Sequence, residues 1–142
     1  MKYHSETKFT KQVRRDLLSI GASVEKVSDR YAHGRADLNV TYKGASFRLE
    51  SKKDSNSKKR SSQVEYLQSH LESGRAPSMF ISPENWPSIF HLIKGIHGVS
   101  NCRNWITLLD YSHNQLEEVK ETLFIQKNLD QIKDSVEGKT NI

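Results

Sequence analysis

The sequence predicts an α/β protein: a mixed central β-sheet flanked by helices, in the order α-β-β-β-α-β-α with a C-terminal β-α extension. Three observations lead there. Apolar residues recur every three or four positions in "SETKFTKQVRRDLLSIG" and "SQVEYLQSHLESG". They alternate with polar ones across "DLNVTYKGASFRLES", on both sides of Lys43-Gly44. A short unbroken apolar run, "APSMFIS", lies between helical patterns, as an interior strand does.

The elements follow in order. Phe9, Val13 and Leu17, widened by Leu18, give the first helix its apolar stripe, with Ser5 as N-cap and Gly21 just past its end. "ASVEKVS" reads as the first strand. Leu38, Val40 and Tyr42, then Ala45, Phe47 and Leu49, mark a hairpin closed by Lys43-Gly44. "KKDSNSKKRSS" reads as a mobile basic loop. Ser62 and Glu65 form a capping-box pattern for the second helix, which carries Val64, Leu67 and Leu71 and stops at Gly74. After the interior strand, a third helix runs from Pro87 at its first position to Lys94 and stops at Gly95. "WITLLD" reads as a fifth strand. Ser112 and Gln115 then open a long helix striped by Leu116, Val119, Leu123, Ile125, Leu129, Ile132 and Val136; the stripe suits either a dimer contact or a cover for the sheet, and the cover is the expected role.

The 142 residues suggest one domain, with a core over about 5–95, an extension over 96–136 and a frayed tail at 137–142. No apolar run approaches the ~20 residues that cross a bilayer, and the N-terminus lacks the apolar region of a signal peptide, so no membrane partner is expected. The single cysteine, Cys102, precludes an internal disulfide framework and fits a reducing cytoplasm. Net charge is +5, and the seven basic residues from Lys43 to Arg60 against two acids account for an equal excess. From Tyr111 onward four lysines face six acids. The positive charge is therefore local; by itself it reads as a solvated lysine loop, and a polyanion contact becomes the better reading only beside a nuclease site.

With Lys43-Gly44 as the turn, Val40 faces Phe47, Leu38 faces Leu49 and Asp37 faces Glu50. Lys52 lies two residues beyond Glu50, on the same face. Opposed carboxylates repel across a sheet. A divalent cation between them removes that cost, and carboxylate oxygens suit Mg²⁺ or Mn²⁺. An ammonium alongside could orient a water or offset charge developing on phosphate. On this register Ser51 points to the apolar face, where its hydroxyl needs a partner.

Asp37 followed a hairpin later by Glu50-Ser51-Lys52 resembles the signature of the PD-(D/E)XK nucleases. "GRADLNV", "FRLESKK" and "SSQVEYLQSHLESG" are similar to the VRR-NUC branch and to archaeal-type Holliday junction resolvases, including Gly34 before the aspartate and Gln63 at the following helix start. The likeness spans about Ser5 to Trp86. Ala36 stands where the family has proline, and Ser51 where it usually has an apolar residue. The resemblance implies a restriction-endonuclease-like fold and hydrolysis of DNA phosphodiesters, with branched DNA within its substrate range. Asp37, Glu50 and the Ser51 backbone carbonyl would bind Mg²⁺ or Mn²⁺. Glu6 would reach it through water, Lys52 would activate water or stabilise the transition state, and Gln63 would orient the site. Junction-cutting members act as dimers, so a homodimer is among the states it allows. A small protein of this kind suits a phage or mobile element.

Arg35, Arg48, Lys53, Lys58, Lys59 and Arg60 are the candidate DNA contacts. The six histidines lack metal-ligand spacing, His33 alone adjoining the site. Trp86 and Trp105 read as core residues. Two other readings remain: a non-catalytic nucleic-acid binder on the same fold, and a protein that inhibits a host enzyme. The first predicts salt-sensitive binding without cleavage, the second neither metal nor DNA affinity.

Overall fold

The computed structural model describes residues 8–26, 38–73, 76–97 and 102–140. Ser5, Glu6, His33, Gly34, Arg35, Ala36, Asp37, Gly74 and the last two residues lie outside the described residues. The elements are α1 (Lys8–Ser19), β1 (Ser23–Lys26), β2 (Leu38–Tyr42), β3 (Ala45–Ser51), α2 (Ser61–Ser73), β4 (Ser78–Ile81), α3 (Trp86–Lys94) and α4 (Arg103–Thr140). They form an α/β arrangement around one four-stranded sheet ordered β1-β2-β3-β4. The first three strands are antiparallel, and β4 joins β3 in parallel.

The hairpin has the register its turn dictates. Leu38 pairs with Leu49 and Val40 with Phe47. Lys43 and Gly44 both take positive φ, 50° and 81°. That is the turn whose twist matches the flanking strands, and glycine at its second position makes it cheap.

Each sheet face has its own core. Leu38, Val40, Phe47, Leu49, Met79 and Ile81 pack with Val13 and Leu17 of α1 and with Ile89 and Ile93 of α3. Trp86 and Cys102 are buried there too, and Trp105 packs against it, its ring edge-on to Phe47. On the other face Phe80 packs with Val64, Leu67 and Leu71 of α2 and Leu116 of α4. Polar residues of β3 occupy this second face, and that is where the candidate site forms.

Among the described residues the expected fifth strand is absent. "WITLLD" is the first turns of α4, a single 38-residue helix. A six-residue apolar run fits a strand or a buried helical stretch equally well. Here the four-residue spacing of Leu108, Ser112 and Leu116, all buried, sets the helical face. The helix also does the work a fifth strand would do. Arg48 N–H donates to Pro77 O and Lys52 N–H to Ile81 O, so alternate β4 residues bond to β3. Ser78 and Phe80 turn their backbone groups to the open edge. Ser112 Oγ accepts from Ser78 N–H at 3.1 Å, Gln115 Oε1 accepts from Phe80 N–H at 2.8 Å, and Gln115 Nε2 donates to Phe80 O at 2.8 Å. Covering the edge in this way satisfies its backbone and blocks pairing with another chain. Ser112 and Gln115 thus form no capping box: they lie inside the helix.

Two helix starts also differ by a residue or two. α3 begins at Trp86 with Asn85 as N-cap, placing Pro87 second rather than first. α2 begins at Ser61, one residue before the expected Ser62 cap. Arg60 O accepts from both Gln63 and Val64 N–H, so Arg60 is the N-cap.

Candidate active site

The site is built from the end of β3, the loop 52–60 and the first turn of α2. Alternation along β3 sends Phe47, Leu49 and Ser51 to one face and Arg48 and Glu50 to the other. Ser51 Oγ finds its partner in Thr10 Oγ1 of α1, 2.8 Å away. This hydroxyl pair lets a serine stand where an apolar residue would be expected. It also ties α1 to the strand end that carries Glu50.

Glu50 is 8% exposed. A carboxylate that deep needs hydrogen bonds or a cation. Gln63 Nε2 donates to its Oε2 at 2.9 Å. The other end of the same amide accepts twice, from Lys52 Nζ at 3.0 Å and from Arg60 N–H at 3.1 Å. Both of those partners are pure donors and the carboxylate is an acceptor, so the amide orientation is fixed by chemistry alone. The bond back to Arg60 is the return half of a capping box, with glutamine at the third helical position. One side chain therefore starts α2 and holds Glu50 and Lys52 in a line. The sequence placed Gln63 at a helix start and the capping pair two residues too far on.

The loop that follows is knitted locally. Asp54 Oδ1 accepts from Asn56 N–H at 2.9 Å and from Ser57 Oγ at 3.2 Å. Lys59 Nζ donates to Ser55 O and Ser57 O at 2.7 and 3.2 Å. These bonds carry Lys59 Nζ to 5.9 Å from the Phe80 ring centroid, while Lys52 Nζ lies 5.8 Å from the same ring. Two ammonium groups gathered around one phenyl ring suit an anion between or above them. Lys53, Lys58 and Arg60 project into solvent from the same loop.

Arg48 is not brought to this cluster. It is half-buried, its Nη1 donating to Phe47 O. Burial, and then the charge of Arg48, hold His70 of α2 below its ordinary pKa of 6.5. The unfolded chain therefore takes up a proton near pH 6.5 that the folded chain resists, so this group's stability is present above that pH and is lost as pH falls through the lower folded value. Melting temperature is expected to fall between pH 7.5 and 5, and less so in His70→Gln; equal slopes in the two proteins would refute the assignment.

A cavity of about 280 Å³ opens beside Lys52 and Lys59, lined further by Glu84, Asn85, Tyr111 and Gln115. Asn85 Nδ2 and Gln115 Nε2 both donate to Tyr111 Oη, at 2.8 and 3.4 Å, which turns the phenolic proton away from both amides. The Glu84 carboxyl is held below its usual range by its own backbone N–H and the Ser82 hydroxyl. Tyr111, Asn85 and Gln115 carried no sequence signal for a site; the four-residue step from Tyr111 to Gln115 alone places two of them on one helix face.

No family model matches this chain, and no curated protein or solved structure is significantly similar to it.

Among the described residues no three side chains converge as a metal cage. The donors present are hard oxygens, which is the chemistry Mg²⁺ or Mn²⁺ takes. The backbone parity of β3 also turns the Ser51 peptide toward the β2 side of the sheet, since Arg48 and Lys52 bond to β4. Asp37, expected opposite Glu50, lies outside the described residues, and the described register ends at the Leu38–Leu49 pair. Among the described residues the Glu50 carboxylate and the Ser51 carbonyl are oxygen donors of the kind a divalent cation takes, and they are the ones that would hold it. No helix of the described residues is long and apolar enough to cross a membrane.

Proposed function

We propose that the chain is a metal-dependent nuclease of the PD-(D/E)XK type, akin to the VRR-NUC and junction-resolvase branch, hydrolysing DNA phosphodiester bonds. The observation that carries this reading is the line Glu50–Gln63–Lys52. A carboxylate, an amide and an ammonium are held at hydrogen-bonding distance on one face at a strand end, with a second ammonium, Lys59, on the neighbouring ring. A fold gains little stability from burying Glu50 in this way. Hydrolysis of a phosphodiester uses each part. When bound, Mg²⁺ would polarise the phosphate and lower the pKa of an attacking water. Lys52 would offset charge on the phosphate oxygens, and Gln63 would keep Lys52 and Glu50 from drifting apart. Lys53, Lys58, Lys59 and Arg60 would hold the flanking backbone.

The test is cleavage of linear duplex, single-stranded, flapped and four-way DNA with Mg²⁺ or Mn²⁺. Wild type is expected to cut at least one substrate and Asp37→Asn and Lys52→Ala none. Survival of every substrate with wild type would overturn the reading. Gln63→Leu breaks three hydrogen bonds at once and leaves the metal ligands in place. It is expected to lower kcat by about 10–100-fold with KM little changed, and to cost about 1 kcal/mol of stability through the lost cap. A pure rise in KM would assign Gln63 to substrate binding instead.

A further inference from the structure

The parallel strands β3 and β4 end side by side, and the cavity of about 280 Å³ lies where Lys52 and Ser82 leave them. Clefts beyond the carboxyl ends of strands are where α/β sheets take ligands. Tyr111 of α4 packs its ring against the first core and brings its hydroxyl to this cavity, which Lys52 and Lys59 also line. Two amides meet that hydroxyl, and the backbone fixes both. Asn85 Oδ1 accepts from Ser82 N–H at 2.9 Å and Gln115 Oε1 from Phe80 N–H at 2.8 Å, so each presents its NH₂ end. Each NH₂ donates once to Phe80 O, at 3.1 and 2.8 Å, and once to Tyr111 Oη, at 2.8 and 3.4 Å. A phenolic oxygen that accepts on this side has one proton left to give. Among the described residues no group takes it. The fold thus presets a donor whose acceptor must arrive with a ligand.

We infer that Tyr111 is a further catalytic residue of the phosphodiester site, its O–H donating to a non-bridging oxygen of the phosphate beside Lys52. The assignment rests on the nuclease reading and deepens it. The charge of the lining says which phosphate. Asp54, Glu84 and Glu118 also border the cavity, so carboxylates outnumber ammonium groups there. The Glu84 carboxyl is held below its usual range, which keeps its charge in place. A free or terminal phosphate carries about −1.5 to −2 near pH 7, and this rim repels it. An internal phosphodiester carries a single charge. It is also brought by the rest of its strand, which the exposed Lys53, Lys58 and Arg60 can hold outside the cavity. The cavity therefore takes an internal phosphate of a DNA strand. A hydroxyl serving only the two amides would add little to the fold, because each amide keeps its bond to Phe80 O without it.

Tyr111→Phe removes the hydroxyl and keeps the ring. On the DNA that wild type cuts fastest, at saturating Mg²⁺, it is expected to lower kcat about 10–100-fold with KM within about threefold, since a hydrogen bond to phosphate strengthens as charge builds in the transition state. Its urea midpoint should match wild type. A second readout needs no cleavage. Protein carrying 3-fluorotyrosine, with Ca²⁺ in place of Mg²⁺, is titrated with a short DNA duplex; the fluorine resonance of residue 111 is the one missing from Tyr111→Phe. That resonance is expected to shift with duplex and to stay unmoved with inorganic phosphate at equal concentration. Cleavage by wild type with kcat unchanged in Tyr111→Phe overturns the assignment and leaves the nuclease reading standing. A shifted resonance without cleavage by wild type supports the phosphate contact and removes the hydrolysis. An unmoved resonance with duplex, an equal shift with inorganic phosphate, or a Tyr111→Phe protein as destabilised as it is slow would each overturn the assignment as well.

Discussion

Glu50→Gln is expected to lower phosphodiester cleavage by about 10³-fold or more, some 4 kcal/mol of transition-state stabilisation, while changing folding stability by no more than ~1 kcal/mol. The substitution keeps the volume of the side chain and an oxygen for Gln63 Nε2, which lies 2.9 Å from Glu50 Oε2. What it removes is the negative charge that a divalent cation needs. Because a buried carboxylate bears a desolvation cost, the neutral isostere is nearly free for the fold. Activity and stability should therefore separate in this variant. Cleavage rates at saturating Mg²⁺, set beside a urea melt, check both halves. Retention of cleavage within about threefold would remove Glu50 from the machinery, and a loss of stability above ~3 kcal/mol would make it a structural residue.

The second large effect concerns the helix that replaces a strand. Gln115→Leu is expected to destabilise the protein by about 2–3 kcal/mol, and the pair Ser112→Ala/Gln115→Leu by more. Gln115 both accepts from Phe80 N–H and donates to Phe80 O, at 2.8 Å each. Asn85 Nδ2 still reaches that carbonyl at 3.1 Å, so the uncompensated group is the N–H. The double variant leaves Ser78 N–H bare as well and opens the edge of β4 to pairing between molecules. Urea midpoints and light scattering during refolding measure the two consequences. Asn114→Leu, on the exposed side of the same turn, serves as control and should shift stability by less than ~0.5 kcal/mol. A cost that small for Gln115→Leu would mean that the edge does not depend on α4.

These two residues show what was legible in the chain and what was not. Glu50 and its hairpin were legible because a two-residue turn fixes register, and register fixes faces; the Leu38–Leu49 and Val40–Phe47 pairs follow from Lys43-Gly44 alone. The need of Ser51 for a hydroxyl partner was legible from the same parity, but Thr10 as the answer was not, because that contact spans 41 residues. Gln63 was placed at a helix start, yet its triple role depends on a strand end meeting that start in space. α4 was misread locally because "WITLLD" satisfies both periodicities over six residues. Two tertiary facts decide between them: the burial of Leu108, Ser112 and Leu116 on one helical face, and the open edge of β4 that this helix covers. The apolar stripe of α4 is legible beyond Leu123, but the helix outruns the sheet: Ile125, Leu129, Ile132 and Val136 are exposed, so the cover expected of them ends at Leu123.

Crystals grown with Mn²⁺ and a short DNA duplex, examined by anomalous scattering, test the central claim most directly. The expected result is a manganese peak about 2.0–2.3 Å from a Glu50 carboxylate oxygen and the Ser51 carbonyl, shared with Asp37, with Lys52 beside the phosphate. A Glu50 carboxylate turned away from Asp37, with no manganese between them at saturating metal, would contradict the account.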